Sequence, residues 1–287
     1  MMAEDRRLLV VNADDLGLHE DINRGIREAH ERGIVTSTSL VACGQAFDDA
    51  LRVLRDCPGL GVGVHLTLIE EKPLCEPGRI ASLVGQNGRF HTSYRRFSER
   101  IFFGKIEREE LRLELDTQVR RVLDAGIQPS HLDSHQHVHV LSPVWHVVAE
   151  LAHRYGIPFV RVPRFQQVWA RAKDTREYIS RIGLNILSTV RRRQVETFKT
   201  ANATVGLHLS GRLKAPDLLE VLNTLRPGLC ELVVHPGVNT PDLEGHYKWG
   251  FNWSDELSAL TAGEVQDVVR CLGIRLVNYE ACHMLKI

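Results

Sequence analysis

Short apolar runs alternate with helical apolar stripes along the chain, about eight times. The stripes place apolar residues three or four apart, as in Ile22, Ile26 and Ala29, and Gly33 fits the position that ends a helix. The runs are rich in Leu, Val and Ile and predict buried strands. The predicted strands cover residues 7–12, 34–42, 60–68, 131–140, 157–162, 203–209, 230–235 and 274–279.

This alternation predicts an α/β fold with parallel strands and outer helices, because parallel neighbours need a crossover connection. Eight such units favour a TIM-like (β/α)-barrel, regular or irregular, and a doubly wound open sheet is the competing architecture. The 287 residues show no internal repeat or low-complexity linker, so we expect one barrel domain over residues 1–287. Loop-rich inserts are expected near 70–105, 163–200 and 238–256.

Composition narrows the class of protein. Lys and Arg total 36, as do Asp and Glu, and this zero net charge argues against a nucleic-acid partner. The N-terminal residues have no long apolar stretch typical of a signal peptide, and no run is long enough to span a bilayer. The cysteines form no C-x-x-C pair, which predicts reduced thiols in a cytoplasmic protein. They are Cys43, Cys57, Cys75, Cys230, Cys271 and Cys282.

The densest polar pattern is HLDSHQHVHV, residues 131–140. Its polar members, at every second position, are His131, Asp133, His135, His137 and His139. If the run stayed extended, alternate side chains would share one face. One metal ion could not bind them all, because the first and last would lie about 26 Å apart at about 3.3 Å per residue. One or two can be ligands, and the alternative is a His-rich surface strand without a partner.

Other polar residues fall at the predicted strand ends, where a barrel places its active site. They are Asp14 and Asp15, His65, His135, His208 and His235. One carboxylate with His65 and His135 would form a two-histidine, one-carboxylate site for a divalent ion. Alone, His65 would more often be a buried core histidine with a satisfied hydrogen bond, and the third partner shifts the interpretation toward a metal site.

The two adjacent aspartates would face opposite ways in a regular strand, which argues against a glycosidase pair of carboxylates. At a turn near Gly17, both Asp14 and Asp15 could enter the site in different roles. The alternative is a capping pair that begins the following helix.

Four ordered motifs give the chain a specific resemblance. VNADDLG (11–17), GVHL (63–66), HLDSHQHVH (131–139) and HP (235–236) resemble those of the YdjC-like carbohydrate deacetylases, which include chitooligosaccharide and hopanoid-associated deacetylases. The resemblance covers nearly the whole chain and implies a (β/α)-barrel hydrolase that removes acetyl from an N-acetylated sugar. Leu16 stands where the family usually has Phe, a change expected to alter packing.

The resemblance also implies roles for individual residues. Asp15, His65 and His135 would bind one divalent ion, Mg²⁺ or Zn²⁺. A metal-bound water would attack the amide carbonyl, with Asp14 as general base and His235 as general acid. The expected substrate is an N-acetylglucosamine-containing glycan or glycolipid.

Four further residues are assigned to substrate binding: His137, His139, Arg164 and Trp249. Trp169, Trp249 and Trp253 lie in loop-like segments, where aromatic rings can stack on sugars or pack in the core. The run Arg191 to Arg193 is typical of a solvated helix end, with a phosphate-bearing or membrane-surface partner as the alternative.

Two other functions remain open from the sequence. One is a metal-dependent hydrolase of another bond, such as a phosphoester, although no Gly-rich phosphate loop is visible. The other is a non-catalytic carbohydrate-binding protein, which would not need Asp14 beside Asp15. A homodimer is also compatible with the sequence.

Overall fold

The computed structural model describes residues 6–163, 175–194 and 198–284, with side chains for all of these except 175–181. Its strands are β1 Arg7–Leu16, β2 Ser37–Leu40, β3 Gly61–Leu66, β4 His131–Ser134, β5 Phe159–Val160, β6 Ala203–Val205, β7 Gly228–Val234 and β8 Arg275–Leu276. Its helices are α1 Glu20–Arg32, α2 Phe47–Asp56, α3 Tyr94–Phe102, α4 Arg108–Asp124, α5 Ser142–Arg154, α6 Thr175–Arg193, α7 Ala215–Asn223, α8 Pro241–His246, α9 Trp253–Thr261, α10 Gly263–Cys271 and α11 Tyr279–Met284.

All strand pairs are parallel, in the order β5-β4-β3-β2-β1-β7-β6, with β8 paired to β1 alone. One edge of β1 is shared, since Leu8 and Leu9 pair with β8 whereas the end of β1 pairs with β2. A single isolated bridge between Phe159 and Lys199 links β5 to the stretch before β6. The predicted (β/α)-barrel class is therefore confirmed in an irregular, half-barrel form.

All eight predicted strands exist, but the second to sixth and the eighth are shorter than predicted, and the fourth differs most in its consequences. β4 ends at Ser134, and a 3₁₀ turn occupies His135–Val140. Within that turn Gln136 and His137 have left-handed φ angles of 51° and 56°. The expectation that the strand extends to residue 140 was wrong, because this turn ends the extended backbone and the polar residues no longer share one face.

The residues of β1 alternate between two environments. Leu9, Val11 and Ala13 belong to the large core that includes the helices, whereas Leu8 and Val10 belong to a separate cluster. That smaller cluster also contains Phe159, Ala201, Leu229, Val277, Tyr279 and Cys282, which come from strands, strand ends and α11. Because alternate residues of a strand face opposite ways, the second cluster fills the inside of the barrel below the carboxyl ends of the strands.

The prediction that Arg191 to Arg193 form a solvated helix end is partly wrong. Arg191 is 5% exposed, its Nε donates to the Val140 carbonyl at 3.0 Å, and its guanidinium lies 5.8 Å from the centre of the Trp145 ring. Arg192 donates to the Ala201 carbonyl, and only the last arginine of the run is exposed. Within the described ranges, no helix combines the length and apolar character needed to cross a membrane.

Candidate active site

A bulge near the end of β1 presents both aspartates to one cavity. Between the pairings of Ala13 and Leu16, β1 advances by three residues while β2 advances by two. The extra residue breaks the normal alternation, and Asp15 has a left-handed φ of 73°. Asp14 and Asp15 therefore both line a cavity of about 350 Å³, as the sequence had suggested for a turn at this position.

Asp15, His65 and His135 form a donor triad at this cavity. The Asp15 Oδ1 lies 3.4 Å from Nε2 of His65 and 3.1 Å from Nδ1 of His135, and all three residues are buried. Ligand bonds to zinc are about 2.0–2.2 Å, so two ligands of one ion lie about 3–3.5 Å apart. The spacing and the chemistry of the three donors fit one divalent ion.

The triad attracts positive charge. Burial opposes a charged ring, but the Asp133 carboxylate raises the pKa of His65 to about 10. Burial likewise opposes charge on His135, whereas Asp15 raises the pKa of that ring to about 9. Burial would raise the pKa of Asp15, yet the two histidines hold it well below its usual value. A divalent ion would take the place of the two histidine protons.

Asp133 orients one ligand of the triad, a role that we did not assign from the sequence. Its Oδ1 lies 2.8 Å from Nδ1 of His65, which leaves Nε2 directed toward Asp15. Ser39 donates its hydroxyl to the other Asp133 oxygen at 2.7 Å. Such carboxylate contacts fix the tautomer and the orientation of a metal-binding imidazole.

Arg161 is the main residue that sequence reasoning missed. Its guanidinium donates to both Asp14 oxygens at 2.7 Å and to Glu231 Oε1 at 2.8 Å, and it forms an ion pair with Asp133 Oδ2 at 2.8 Å. We call Asp14, Asp133, Arg161 and Glu231 the charged layer, and all four are buried. The available signal was an arginine between two valines at the end of β5.

The charged layer sets the state of Asp14. Burial would raise the pKa of this carboxyl, but the Arg161 guanidinium holds it below its usual value. Asn12 donates a further hydrogen bond to Asp14 Oδ1 at 2.8 Å. Asp14 is therefore an ionised, fixed carboxylate at the cavity wall.

The two predicted substrate histidines differ in position. His137 lines the cavity, and burial together with Arg161 lowers its pKa to about 3, so the ring is neutral. Its Nδ1 is buried without a hydrogen-bond partner among the described residues. His139 is fully buried, with Nδ1 2.5 Å from Ser134 Oγ and Nε2 2.8 Å from the Arg161 carbonyl. These contacts favour a positioning role for His139 over contact with a sugar.

Trp249 lines the cavity, with its ring centre 5.2 Å from that of His135. Phe251 and Ser210 also line it and were not identified from the sequence. Trp253 begins α9 and is 1% exposed, so its expected loop position was wrong, whereas the alternative of packing in the core is confirmed. Arg164 and Trp169 lie outside the described residues.

His235 follows β7 directly and also lines the cavity. Its backbone N–H donates to Glu256 Oε2 at 2.6 Å, which fixes the main chain at this point. Its ring lies 5.3 Å from that of Phe251, and its buried Nδ1 has no hydrogen-bond partner within the described part of the chain. The structure thus brings His235, Asp14 and the donor triad into one cavity.

Comparison with known proteins identifies the family of the chain. The model of the YdjC-like protein family matches residues 8–270. A carbohydrate deacetylase of Brevibacillus brevis is 38% identical over 273 residues, covering 94% of this chain and 98% of that protein. A chitooligosaccharide deacetylase of Escherichia fergusonii is 40% identical over 153 residues, covering 53% of this chain and 58% of that protein.

A solved structure from Enterococcus faecalis V583, provisionally described as a cellobiose-phosphate cleavage protein, also matches. It aligns with a TM-score of 0.76 and 28% identity, and the alignment covers 96% of this chain and 98% of that one. The resemblance inferred from the four motifs is confirmed, and the chain belongs to the YdjC-like protein family.

Proposed function

We propose that the protein removes the N-acetyl group from an N-acetylglucosamine-containing glycan or glycolipid, in a reaction that depends on a divalent ion. The observation that carries the proposal is the meeting of the donor triad, Asp14 and His235 in one cavity. The carbohydrate deacetylase names of the relatives support the same class of enzyme.

Asp15, His65 and His135 would hold the ion, which when bound polarises the amide carbonyl and lowers the pKa of a bound water. Two imidazole donors suit zinc better than magnesium, which prefers an octahedral set of oxygen ligands. We therefore favour Zn²⁺ and keep Mg²⁺ as the alternative that metal analysis decides.

Asp14 is the proposed general base. The two hydrogen bonds from Arg161 fix the plane of the carboxylate and keep it ionised. Its oxygens retain further acceptor capacity at the cavity wall, so Asp14 can accept the proton of the attacking water. Proton transfer by a positioned group typically contributes about 10²–10⁴-fold in rate.

His235 is the proposed general acid. When the carbon–nitrogen bond of the amide breaks, the amine leaves only if it gains a proton. His235 lines the same cavity as Asp14 and the donor triad, so its ring is placed to deliver that proton. The products are acetate and the free amino sugar.

Two aromatic side chains offer flat surfaces for a sugar ring. Trp249 and Phe251 line the cavity with ring centres 5.5 Å apart, and the neutral His137 can donate or accept a hydrogen bond. The volume of about 350 Å³ is near the lower end of the roughly 300–1,000 Å³ of ligand sites. This size suits one sugar unit with the remaining glycan or lipid outside.

The alternatives lack such support. A phosphoester substrate would call for cationic groups, but the described residues lining the cavity include no Lys or Arg. A non-catalytic binding protein would not need an ionised Asp14 held beside the donor triad. We also propose a cytoplasmic location, because all six cysteines are described and none forms a disulfide.

The test combines metal analysis with acetate release from chitooligosaccharides and a lipid-linked N-acetylglucosamine, followed by mass spectrometry. Loss of one acetyl mass supports the proposal, and the better substrate identifies the preferred class. A shortened glycan that keeps its acetyl groups, or release of phosphate from phosphorylated sugars alone, would contradict it. Sugar binding without conversion by metal-loaded protein would indicate the non-catalytic alternative.

A further inference from the structure

Glu70 places one carboxylate oxygen between His135 of the donor triad and two packed aromatic rings, Trp249 and Tyr247, which we call the aromatic wall. Its Oε2 accepts the indole N–H of Trp249 at 3.0 Å and lies 3.7 Å from Nε2 of His135. The second distance is that of an ion pair and exceeds a direct hydrogen bond. Glu70 follows β3, whereas Trp249 lies between α8 and α9, so this oxygen joins two distant inserts of the chain.

The backbone at Glu70 is constrained in a conformation that few residues adopt. The N–H of Glu71 donates to the Ile69 carbonyl at 2.7 Å, which closes a γ-turn around Glu70 with a φ of 68°. The N–H of Glu70 donates to the His91 carbonyl at 3.0 Å and ties the turn to a neighbouring segment. Strained conformations persist where surrounding contacts determine them, and they cluster at functional sites.

The surroundings of His135 repeat the arrangement around His65. In His65, Nδ1 meets Asp133 and Nε2 faces Asp15. In His135 the nitrogens are exchanged, since Nδ1 faces Asp15 and Nε2 faces Glu70. Each imidazole therefore has one nitrogen toward the centre of the triad and a carboxylate near the other.

Glu70 also holds the aromatic wall. Its bond to the indole fixes Trp249, whose ring is tilted by 36° to that of His135 at 5.2 Å. The second ring of the aromatic wall is Tyr247, whose ring centre is 4.6 Å from that of Trp249. A loss of the Glu70 carboxylate would free both the indole and the distal nitrogen of His135.

We propose that Glu70 is a positioning residue that orients His135 for ion binding and fixes Trp249 for sugar binding. This inference rests on the proposed function of the same cavity. It couples the two binding events through one side chain, so removal of the carboxylate weakens both, whereas a change confined to Trp249 weakens only sugar binding.

The test compares Glu70→Ala and Glu70→Gln with Trp249→Phe, which keeps an aromatic ring but removes the indole N–H. Glu71→Gln is the matched control, because it changes the adjacent carboxylate, whose described hydrogen bond is to the Tyr247 hydroxyl at 3.1 Å rather than to a member of the donor triad. Calorimetric titration with Zn²⁺ alone should show about 10–100-fold weaker ion binding in both Glu70 variants. The Trp249→Phe and Glu71→Gln variants should keep the ion affinity of the wild type.

Kinetics and NMR complete the test. The Trp249→Phe variant should show a raised KM with little change in kcat. The Glu70 variants should show both a raised KM and a lowered kcat. The Trp249 indole N–H resonance, identified by its loss in Trp249→Phe, should shift in Glu70→Ala before any ion is added. Folded Glu70 variants with wild-type ion affinity and an unchanged indole resonance would overturn the inference.

Failure of the proposed function is distinguishable from failure of this inference. Wild-type protein without ion binding or acetate release would contradict the proposed function, while the indole resonance still reports whether Glu70 holds Trp249. Wild-type activity combined with unaffected Glu70 variants would contradict the inference alone.

Discussion

Asp14 and Asp15 are neighbours in the chain, but they belong to two regions whose charges are balanced in different ways. Asp14 lies in the charged layer, where Arg161 contributes a permanent cation that hydrogen-bonds to Asp14 and Glu231 and forms an ion pair with Asp133. Asp15 lies in the donor triad, where its described ion pairs go only to His65 and His135. Those partners are cationic only while they carry protons.

The difference explains how adjacent carboxylates acquire separate roles. The charged layer contains a permanent cation, and the hydrogen bonds from Arg161 fix Asp14 in one orientation whether or not an ion is bound. The donor triad converges on one point with atoms that bind either protons or a metal ion. The first region is therefore a rigid support, and the second is a site that a ligand completes.

The largest expected effect comes from the triad itself. His65→Ala or His135→Ala removes one of three converging donors, so the ion and the acetate-releasing activity should both fall below detection. Metal analysis of dialysed protein checks the first effect and acetate release the second. Circular dichroism should show a retained fold, and full metal content in both variants would refute the ligand assignment.

The next effect concerns stability and the charged layer. Arg161→Met removes the cation and leaves buried carboxylates uncompensated, so the free energy of unfolding should fall by about 3–5 kcal/mol. Arg161→Lys keeps the charge but loses the planar guanidinium, so its free energy of unfolding should lie between those of the wild type and Arg161→Met. Urea unfolding measures both changes, and a loss below about 1 kcal/mol for Arg161→Met would show that the layer is not the support described.

A smaller effect is the pH dependence of ion binding, which is expected for the donor triad. With pKa values of about 10 for His65 and about 9 for His135, both rings carry a proton at pH 7 without an ion. An ion must displace two protons, so affinity should rise with pH by up to about 100-fold per unit below pH 9 and level off above pH 10. Calorimetry in buffers of different ionisation enthalpy counts the released protons, and a count of zero would contradict the assignment.

The smallest effect is expected from an exposed ion pair that serves as a contrast to the charged layer. Arg95 and Glu99 lie 2.8 Å apart on α3, with side chains 79% and 51% exposed. Solvent screens such pairs, so Arg95→Ala should leave urea unfolding and acetate release unchanged. A loss comparable to that of Arg161→Met would remove the distinction between buried and exposed charges.

The sequence predicted the barrel and most of the site because both depend on local patterns. Apolar runs located all eight strands, and polar residues at their ends located Asp14, Asp15, His65, His135 and His235. These residues meet because parallel strands bring their carboxyl ends to one edge. The alternation of 131–140 misled because it is typical of a strand, whereas Gln136 and His137 adopt left-handed conformations that glycine usually provides.

Arg161 and Glu70 could not be assigned from the sequence because their roles depend on distant partners. The carboxylates around Arg161 come from β1, β4 and β7, and only the folded sheet brings them together. Glu70 meets Trp249 across 179 positions of chain. A buried arginine between valines signals a special environment, but it does not identify the partners.

The most direct test of the central claim measures metal content and acetate release in Asp14→Asn and Asp15→Asn side by side. Asp14→Asn should retain the ion and lose about 10²–10⁴-fold in rate, because it removes the general base. Asp15→Asn should lose the ion together with the activity. Equal loss of metal in the two variants would contradict the division of roles between these neighbouring aspartates.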